Sequence, residues 1–342
     1  MFRCFFILNT FAVLKSAMLP ERIFKISNAA EFETCALACF QFQWEHNTVY
    51  RKFCDHLNVV PSAINRVEKI PFLPIQFFKE FEVLASTDPV QTTFTSSGTT
   101  GSITSKHHVT DLGLYEKSFR ESFKLHYGNI ENYTVLALLP SYLERDGSSL
   151  IYMVDCLIKD SKKPDSGFYL KDYNALSEKL NRLDAKGEKI LLIGVSFALL
   201  DLVEQFDFKL KNTIIMETGG MKGRRKELIR EELHQILKEG FGVAEIHSEY
   251  GMTELLSQGY SNGKGIFTLP PWMQVFMRDT EDALQLINPG KTGGINVIDL
   301  ANHYSCPFIA TQDLGKKIDD KHFEILGRFD TSDIRGCNLM VL

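Results

Sequence analysis

The chain has 342 residues, 44% hydrophobic and 24% charged, with a formal net charge of −5. Such a length supports one large domain or two moderate ones, and the acidic balance argues against a nucleic-acid surface, which needs clustered Lys and Arg. The seven cysteines, Cys4, Cys35, Cys39, Cys54, Cys156, Cys306 and Cys337, are scattered, odd in number and without a CxxC pair; they fit reduced thiols in cytosol better than a zinc site or a disulfide framework.

In chain order, Arg3 and the apolar run 4–14 look like a signal peptide. The run is too short to span a bilayer, and Lys15 stands where a cleavage site needs small neutral residues. Residues 1–17 therefore read as a mis-called start, with a signal-like segment as the alternative, and residues 18–342 as a single domain. Residues 29–57 read as helix, because Phe32, Leu37, Phe40, Trp44 and Phe53 recur at roughly helical spacing. Pro71 and Pro74 interrupt it, and a short helix resumes over 75–82. From residue 90 the pattern becomes strand, Gly/Ser loop, helix, repeated. Strands are predicted at 90–95, 134–139, 190–193, 213–216 and 243–247, and helices at 148–158, 198–205 and 224–238. This alternation predicts an α/β fold with parallel strands, whose ligands sit beyond the carboxyl ends of the strands. After residue 290 the texture changes to short antiparallel strands at 295–300, 308–311 and 322–326.

Three patterns carry chemistry. The first is Thr95, Ser96, Ser97, Gly98, Thr99, Thr100 and Gly101. Glycines let such a loop wrap an anion, and its N–H groups and hydroxyls supply donors. It is not a GxxxxGK[ST] loop, and a flexible linker has the same composition. The second is Glu249-Tyr250-Gly251-Met252-Thr253-Glu254. Glu254 can hold Mg²⁺, Thr253 can bond a phosphate and Tyr250 offers a ring to a base. Locally the same residues also read as a strand-to-helix turn, with Thr253 capping and Glu254 in the first turn. The third is Thr311-Gln312-Asp313-Leu314-Gly315, followed by Gly327-Arg328-Phe329-Asp330. Asp313 suits two ribose hydroxyls and Arg328 a ribose or phosphate, while each alone also fits a turn carboxylate or a surface ion pair.

Taken together, SSGTTG, Gly219-Gly220, YGMTE, TQD and GRFD, in that order over residues 90–335, resemble the acyl-adenylate-forming (ANL) superfamily. Within it, Ile70-Pro71-Phe72-Leu73-Pro74-Ile75-Gln76-Phe77-Phe78-Lys79 resembles the N-terminal signature of the LuxE acyl-protein synthetases. So do Pro140-Ser141-Tyr142-Leu143-Glu144-Arg145 with Ser148-Ser149-Leu150, and the ending from Gly327 to Cys337. The resemblance implies two Rossmann-like halves plus a small C-terminal antiparallel β region, as in the ANL N-terminal domain, without the large mobile C-terminal domain. It implies ATP-dependent activation of a carboxylic acid, a fatty acid, to an acyl-adenylate, then acyl transfer to a Cys thiol.

On that resemblance the residues from Ser96 to Gly101 receive the departing phosphates, and Glu254 holds Mg²⁺. Thr253 contacts the α-phosphate, Asp313 and Arg328 hold the ribose, and Gly219 and Gly220 let adenine lie close to the backbone. The thiol is Cys337, where Arg335 favours the thiolate and Gly336 gives mobility; a small buried residue in a C-terminal strand is the plain alternative. ATP and Mg²⁺ are the implied cofactors. An acyl reductase or a carrier protein is the implied acceptor, in the cytoplasm, with no membrane and no nucleic acid. Two departures stand out. Ser102-Ile103-Thr104-Ser105-Lys106 lacks the usual Pro-Lys, so Lys106 is given no phosphate role. The source of the positive charge that a mobile domain's Lys supplies elsewhere is not apparent. The rival readings are a CoA ligase resembling phenylacetate-CoA ligase, for which Cys337 is dispensable, and a non-catalytic nucleotide-binding descendant.

Overall fold

The computed structural model describes residues 20–96, 103–140, 147–170, 172–219 and 228–329. The chain divides into two compact units, each described by itself. The first comprises residues 1–118, 253–257 and 269–342; the second, 119–252 and 258–268. The elements in chain order are α1 (Pro20–Ile23), α2 (Ala29–His46), α3 (Thr48–His56), β1 (Leu73–Pro74), α4 (Phe77–Glu80), β2 (Thr92–Thr95), β3 (Lys106–Val109), α5 (Leu112–Tyr127), β4 (Thr134–Leu138), α6 (Ser149–Ser161), β5 (Gly167–Phe168) and α7 (Tyr173–Ala185). They continue as β6 (Ile190–Val195), α8 (Ser196–Gln205), β7 (Thr213–Thr218), α9 (Arg230–Phe241), β8 (His247–Tyr250), β9 (Gly259–Ser261), β10 (Ile266–Thr268), β11 (Met273–Arg278), β12 (Leu286–Ile287), β13 (Thr292–Asp299), β14 (Phe308–Lys317) and β15 (His322–Arg328).

The second unit holds the parallel α/β pattern. Its strands run in the order β5-β4-β6-β7-β8-β9-β10, parallel from β5 to β8 and antiparallel beyond. The apolar runs of β4 and β6 are buried at every position, as parallel strands covered on both faces require. Two of the crossover helices begin at sequence-encoded caps: Ser148 Oγ accepts from Ile151 N at α6, and Asp172 Oδ1 from Ala175 N at α7. Helix α9 ends at Gly242 in the left-handed region (φ 67°), where a Cβ would meet Phe208 O at 2.8 Å.

The first unit is mainly antiparallel. Its sheet runs β12-β11-β13-β14-β15, with β1 parallel to β14, and β2 and β3 form a separate hairpin. Trp272, Val297, Ile298, Phe308, Ile309 and Phe323 are the buried centre of that sheet. The antiparallel region is larger than the three strands read from the sequence, because β11 and β12 extend it.

Four elements differ from expectation. The helix read over 29–57 is two helices, broken at Asn47. Asn47 Oδ1 caps α3 by accepting from Val49 N and Tyr50 N, while Nδ2 donates to Gln43 Oε1 and Ser305 O. Strand β8 starts at His247 rather than 243, and α9 starts at Arg230; residues 224–227 of the predicted helix lie outside the described residues. No helix follows Glu254: residues 251–258 are turns and irregular backbone that lead into β9, which removes the helix-cap reading of Thr253 and Glu254. Among the described residues no helix is long and apolar enough to cross a membrane.

Candidate functional site

In the first unit the hairpin β2–β3 forms the stem on which the predicted phosphate loop stands. Its register runs from Thr92 opposite Val109 to Thr95 opposite Lys106. Ser96 N donates to Ser105 O (3.1 Å) and Ser105 N donates to Ser96 Oγ (2.9 Å), so Ser96 closes the stem. Strand β3 then reaches the Thr253–Glu254 turn. The imidazole of His107 is fully buried, its Nδ1 2.8 Å from Thr253 O and its Nε2 2.9 Å from Asn302 Oδ1. Asn302 Nδ2 donates to Glu254 O (2.8 Å) and Cys306 O (2.9 Å). The Glu254 carbonyl is therefore held by the Asn302 side chain, and the Thr253 carbonyl faces the His107 ring.

Glu254 is 5% exposed. Burial pushes its carboxyl above the ordinary range, against the influence of the Ser105 side chain and the fields of Arg328 and Lys79. The chain after Glu254 is anchored by buried Asp299, which accepts from Leu256 N (2.8 Å), Ser257 N (2.9 Å), Ser257 Oγ (2.5 Å) and Ala301 N (3.1 Å). Trp272 Nε1 adds donations to Ser118 Oγ and Ser257 Oγ.

Asp313 and Arg328 stand directly opposite one another on β14 and β15. Arg328 Nε donates to Asp313 Oδ1 at 3.0 Å; the Asp313 side chain is 8% exposed and that of Arg328 79%. Asp313 lies on the buried face of a strand whose residues alternate from Ala310 onward, so it is a fixed carboxylate and not a turn residue. Arg278 braces that strand: buried itself, it donates to Ile295 O, Asn296 Oδ1 and Thr311 O, and its guanidinium lies 5.3 Å from the centre of the Phe329 ring.

In the second unit, Gly219 follows β7 in the left-handed region (φ 70°), and its carbonyl accepts from Ser196 Oγ at 2.5 Å. Tyr250 ends β8, is 7% exposed and stands edge-on to Phe267 with ring centres 6.0 Å apart, so its ring is a member of the core. Beside it, Glu249 Oε2 accepts from Thr218 Oγ1 at 2.6 Å. Burial, with the charge of Glu217 adding to it, pushes the Glu249 carboxyl up to about 7. Burial acts on Glu217 the same way, but His234, Arg230 and Ser248 outweigh it and hold that carboxyl below its ordinary value. Arg230 Nη1 lies 2.7 Å from Glu217 Oε1.

The structure thus brings Ser96, Thr253, Glu254, Asp313 and Arg328 into the first unit and Gly219 and Tyr250 into the second. Ser97, Gly98, Thr99, Thr100, Gly101, Gly220 and Cys337 lie outside the described residues. Sequence reasoning assigned nothing to His107, Asn302, Asp299, Arg278 or Glu249; of these Glu249 opens the second motif and His107 ends the stretch that runs on from the first. Among the described residues no group of three His, Cys, Asp or Glu could hold a metal alone. A single buried carboxylate fits Mg²⁺ held chiefly by phosphates and water, which needs one or two protein carboxylates. Cys39, Cys54 and Cys306 are free thiols buried in the first unit, and burial pushes all three up, Cys54 to about 12, so none of them is an activated nucleophile.

The sequence model of the family described as "Acyl-protein synthetase, LuxE" matches residues 18–112 and 152–342. A long-chain-fatty-acid–luciferin-component ligase from Vibrio harveyi is 25% identical over an alignment covering 88% of this chain and 84% of its own. Among solved structures, ATP-bound MatB from Rhodopseudomonas palustris superposes with a TM-score of 0.53 at 18% identity, covering 71% of this chain. The chain spans about half of that protein, 49%. A 2-hydroxyisobutyryl-CoA ligase in complex with 2-HIB-AMP and CoA gives a TM-score of 0.64 at 12% identity, covering 90% of this chain and 70% of its own. These structural likenesses show the fold that the chain shares with these two enzymes, and the matched family is one of acyl-protein synthetases. The chain belongs to the LuxE acyl-protein synthetase family.

Proposed function

We propose that this chain uses ATP to activate a carboxylic acid as an acyl-adenylate and then transfers the acyl group to the thiol of Cys337. The observation that supports this best is the Glu254 turn. A buried carboxylate whose own backbone carbonyl is held by the Asn302 side chain occupies the position that the family motif gives to the acidic residue. Burial opposes charge on this carboxyl, and carboxyls perturbed in this way cluster at functional sites. The name of the V. harveyi ligase supports a long-chain fatty acid as substrate, and the ATP and acyl-AMP complexes of the structural relatives support ATP.

A carboxylate oxygen of the acid attacks the α-phosphorus of ATP, and pyrophosphate leaves. Positioning and charge neutralisation dominate such a transfer. We assign the departing phosphates to Ser96, Ser97, Gly98, Thr99, Thr100 and Gly101, and the α-phosphate to Thr253. The ribose falls to Asp313, whose charge Arg328 balances, and the adenine to Gly219 and Gly220, the Tyr250 ring being taken up by the core. Mg²⁺, when bound, neutralises phosphate charge, and Glu254 is its protein ligand. Among the described residues, Lys79 and Arg328 are cations whose fields reach Glu254. In the second half-reaction the Cys337 sulfur forms a bond to the acyl carbonyl carbon, and the bond from that carbon to the phosphate oxygen breaks, releasing AMP. The acceptor that next takes the acyl group is a reductase or carrier protein.

The test is intact mass spectrometry after incubation with ATP, Mg²⁺ and long-chain acids. Wild type should gain one acyl mass that hydroxylamine removes, and Cys337→Ser should not. A persisting adduct on Cys337→Ser, or AMP release driven by coenzyme A without any adduct, overturns the assignment of Cys337.

A further inference from the structure

His107 was given no role by the sequence, and the established family does not explain its surroundings. Both of its ring nitrogens face oxygen atoms. Asn302 has committed its amide nitrogen to the carbonyls of Glu254 and Cys306, so its Oδ1 is the atom turned toward His107 Nε2 at 2.9 Å. On the other side Nδ1 meets Thr253 O at 2.8 Å. A neutral imidazole donates from one nitrogen only, and burial holds this ring neutral by pushing its pKa down to about 4. One of the two contacts is therefore unfavourable at all times. A leucine would fill the same space without that cost, since an unmet buried polar group is expensive.

The position of the ring is equally particular. It sits on β3, two residues after Ser105, whose side chain favours the charged form of the Glu254 carboxyl. The strand thus meets the turn at the Thr253 backbone through His107. Phe78 stands edge-on to the imidazole (ring centres 5.7 Å, 90°) and fixes its plane. We propose that His107 is a positioning residue that locks the Thr253–Glu254 turn onto β3, so that the Glu254 carboxylate and the Thr253 side chain hold one position through adenylation. This rests on the assignment of Thr253 and Glu254 to that reaction.

Three variants of the full chain test it. His107→Leu keeps the volume and removes both polar contacts. His107→Asn and His107→Gln each keep one amide group, near the position of Nδ1 and Nε2 respectively. The readouts are kcat and the KM for ATP in acid-dependent ATP–pyrophosphate exchange, and amide hydrogen exchange over residues 253–256. His107→Leu should lower kcat about 100-fold while the KM for ATP stays within about threefold, because misplacement of about 1 Å at a reacting centre costs that much. Its turn amides should exchange faster than those of wild type. At least one amide variant should recover to within about tenfold of wild type. Wild-type kcat and wild-type turn protection in His107→Leu would overturn the proposal, as would two folded amide variants no better than leucine. If His107→Leu does not fold, the Asn and Gln variants decide by the same two readouts. If wild type shows no exchange reaction with any acid, the functional assignment fails instead, and the protection of the turn amides still decides whether His107 holds the turn.

Discussion

Replacing Glu254 by Gln isolates charge from shape. The side chain keeps its length, and no ion pair is broken, because Arg328 is paired with Asp313. The carboxylate is 5% exposed and burial already opposes its charge. Neutralisation should therefore leave the melting temperature at or above that of wild type. Its cost falls on the reaction. Losing the one protein charge assigned to the metal should slow adenylation about 100- to 1,000-fold, or about 3–4 kcal/mol at about 1.36 kcal/mol per tenfold. The assay is ATP–pyrophosphate exchange with saturating acid, beside thermal unfolding on the same preparation. Exchange within twofold of wild type removes Glu254 from the site. A large fall in melting temperature with proportionate loss of activity assigns the residue to stability.

Asp313→Ala leaves an exposed Arg328 without its buried partner, so stability should change by no more than about 1 kcal/mol. Nucleotide affinity should fall about tenfold or more with the KM for acid unchanged; calorimetric titration with ATP showing wild-type affinity counts against the ribose role. Glu249, with its carboxyl at about 7 against an ordinary 4.5, is favoured in its protonated form by the fold. Its contribution is full below about 4.5 and is lost as pH rises to 7, amounting to about 3 kcal/mol. Glu249→Gln should thus melt well above wild type at pH 8 and close to it at pH 5, and an equal difference at both refutes the assignment. Asp299→Asn places an amide against N–H donors and should cost about 3–5 kcal/mol, read as a lower urea midpoint; an unchanged midpoint would show that the turn after Glu254 does not depend on it.

What the sequence made legible follows the range of each signal. The runs of β4 and β6 are local and continuous, and they were found. Asn47 was missed because helical periodicity runs through it, while its capping bonds, read in three dimensions, divide the helix. Strand β8 was read four residues early because residues 243–246 have strand composition, but pairing with β7 begins only where Met216 faces His247. The short strands β9 to β12 gave no clean alternation, since Pro270 and Pro271 fall among them. In the site, Glu254 and Asp313 were legible from motif order. His107 and Asn302 were not, because their partners lie 146 and 195 residues apart along the chain, and no local pattern records such contacts.

The reading as a whole stands on acid activation, and ATP–pyrophosphate exchange measures it without requiring any acceptor. Wild-type protein with labelled pyrophosphate, ATP, Mg²⁺ and a chain-length series of fatty acids should incorporate label into ATP only when an acid is present, and most rapidly with a long-chain acid. Exchange that does not depend on acid, or none with any carboxylic acid while ATP still binds, contradicts adenylation and favours a nucleotide-binding protein without this chemistry.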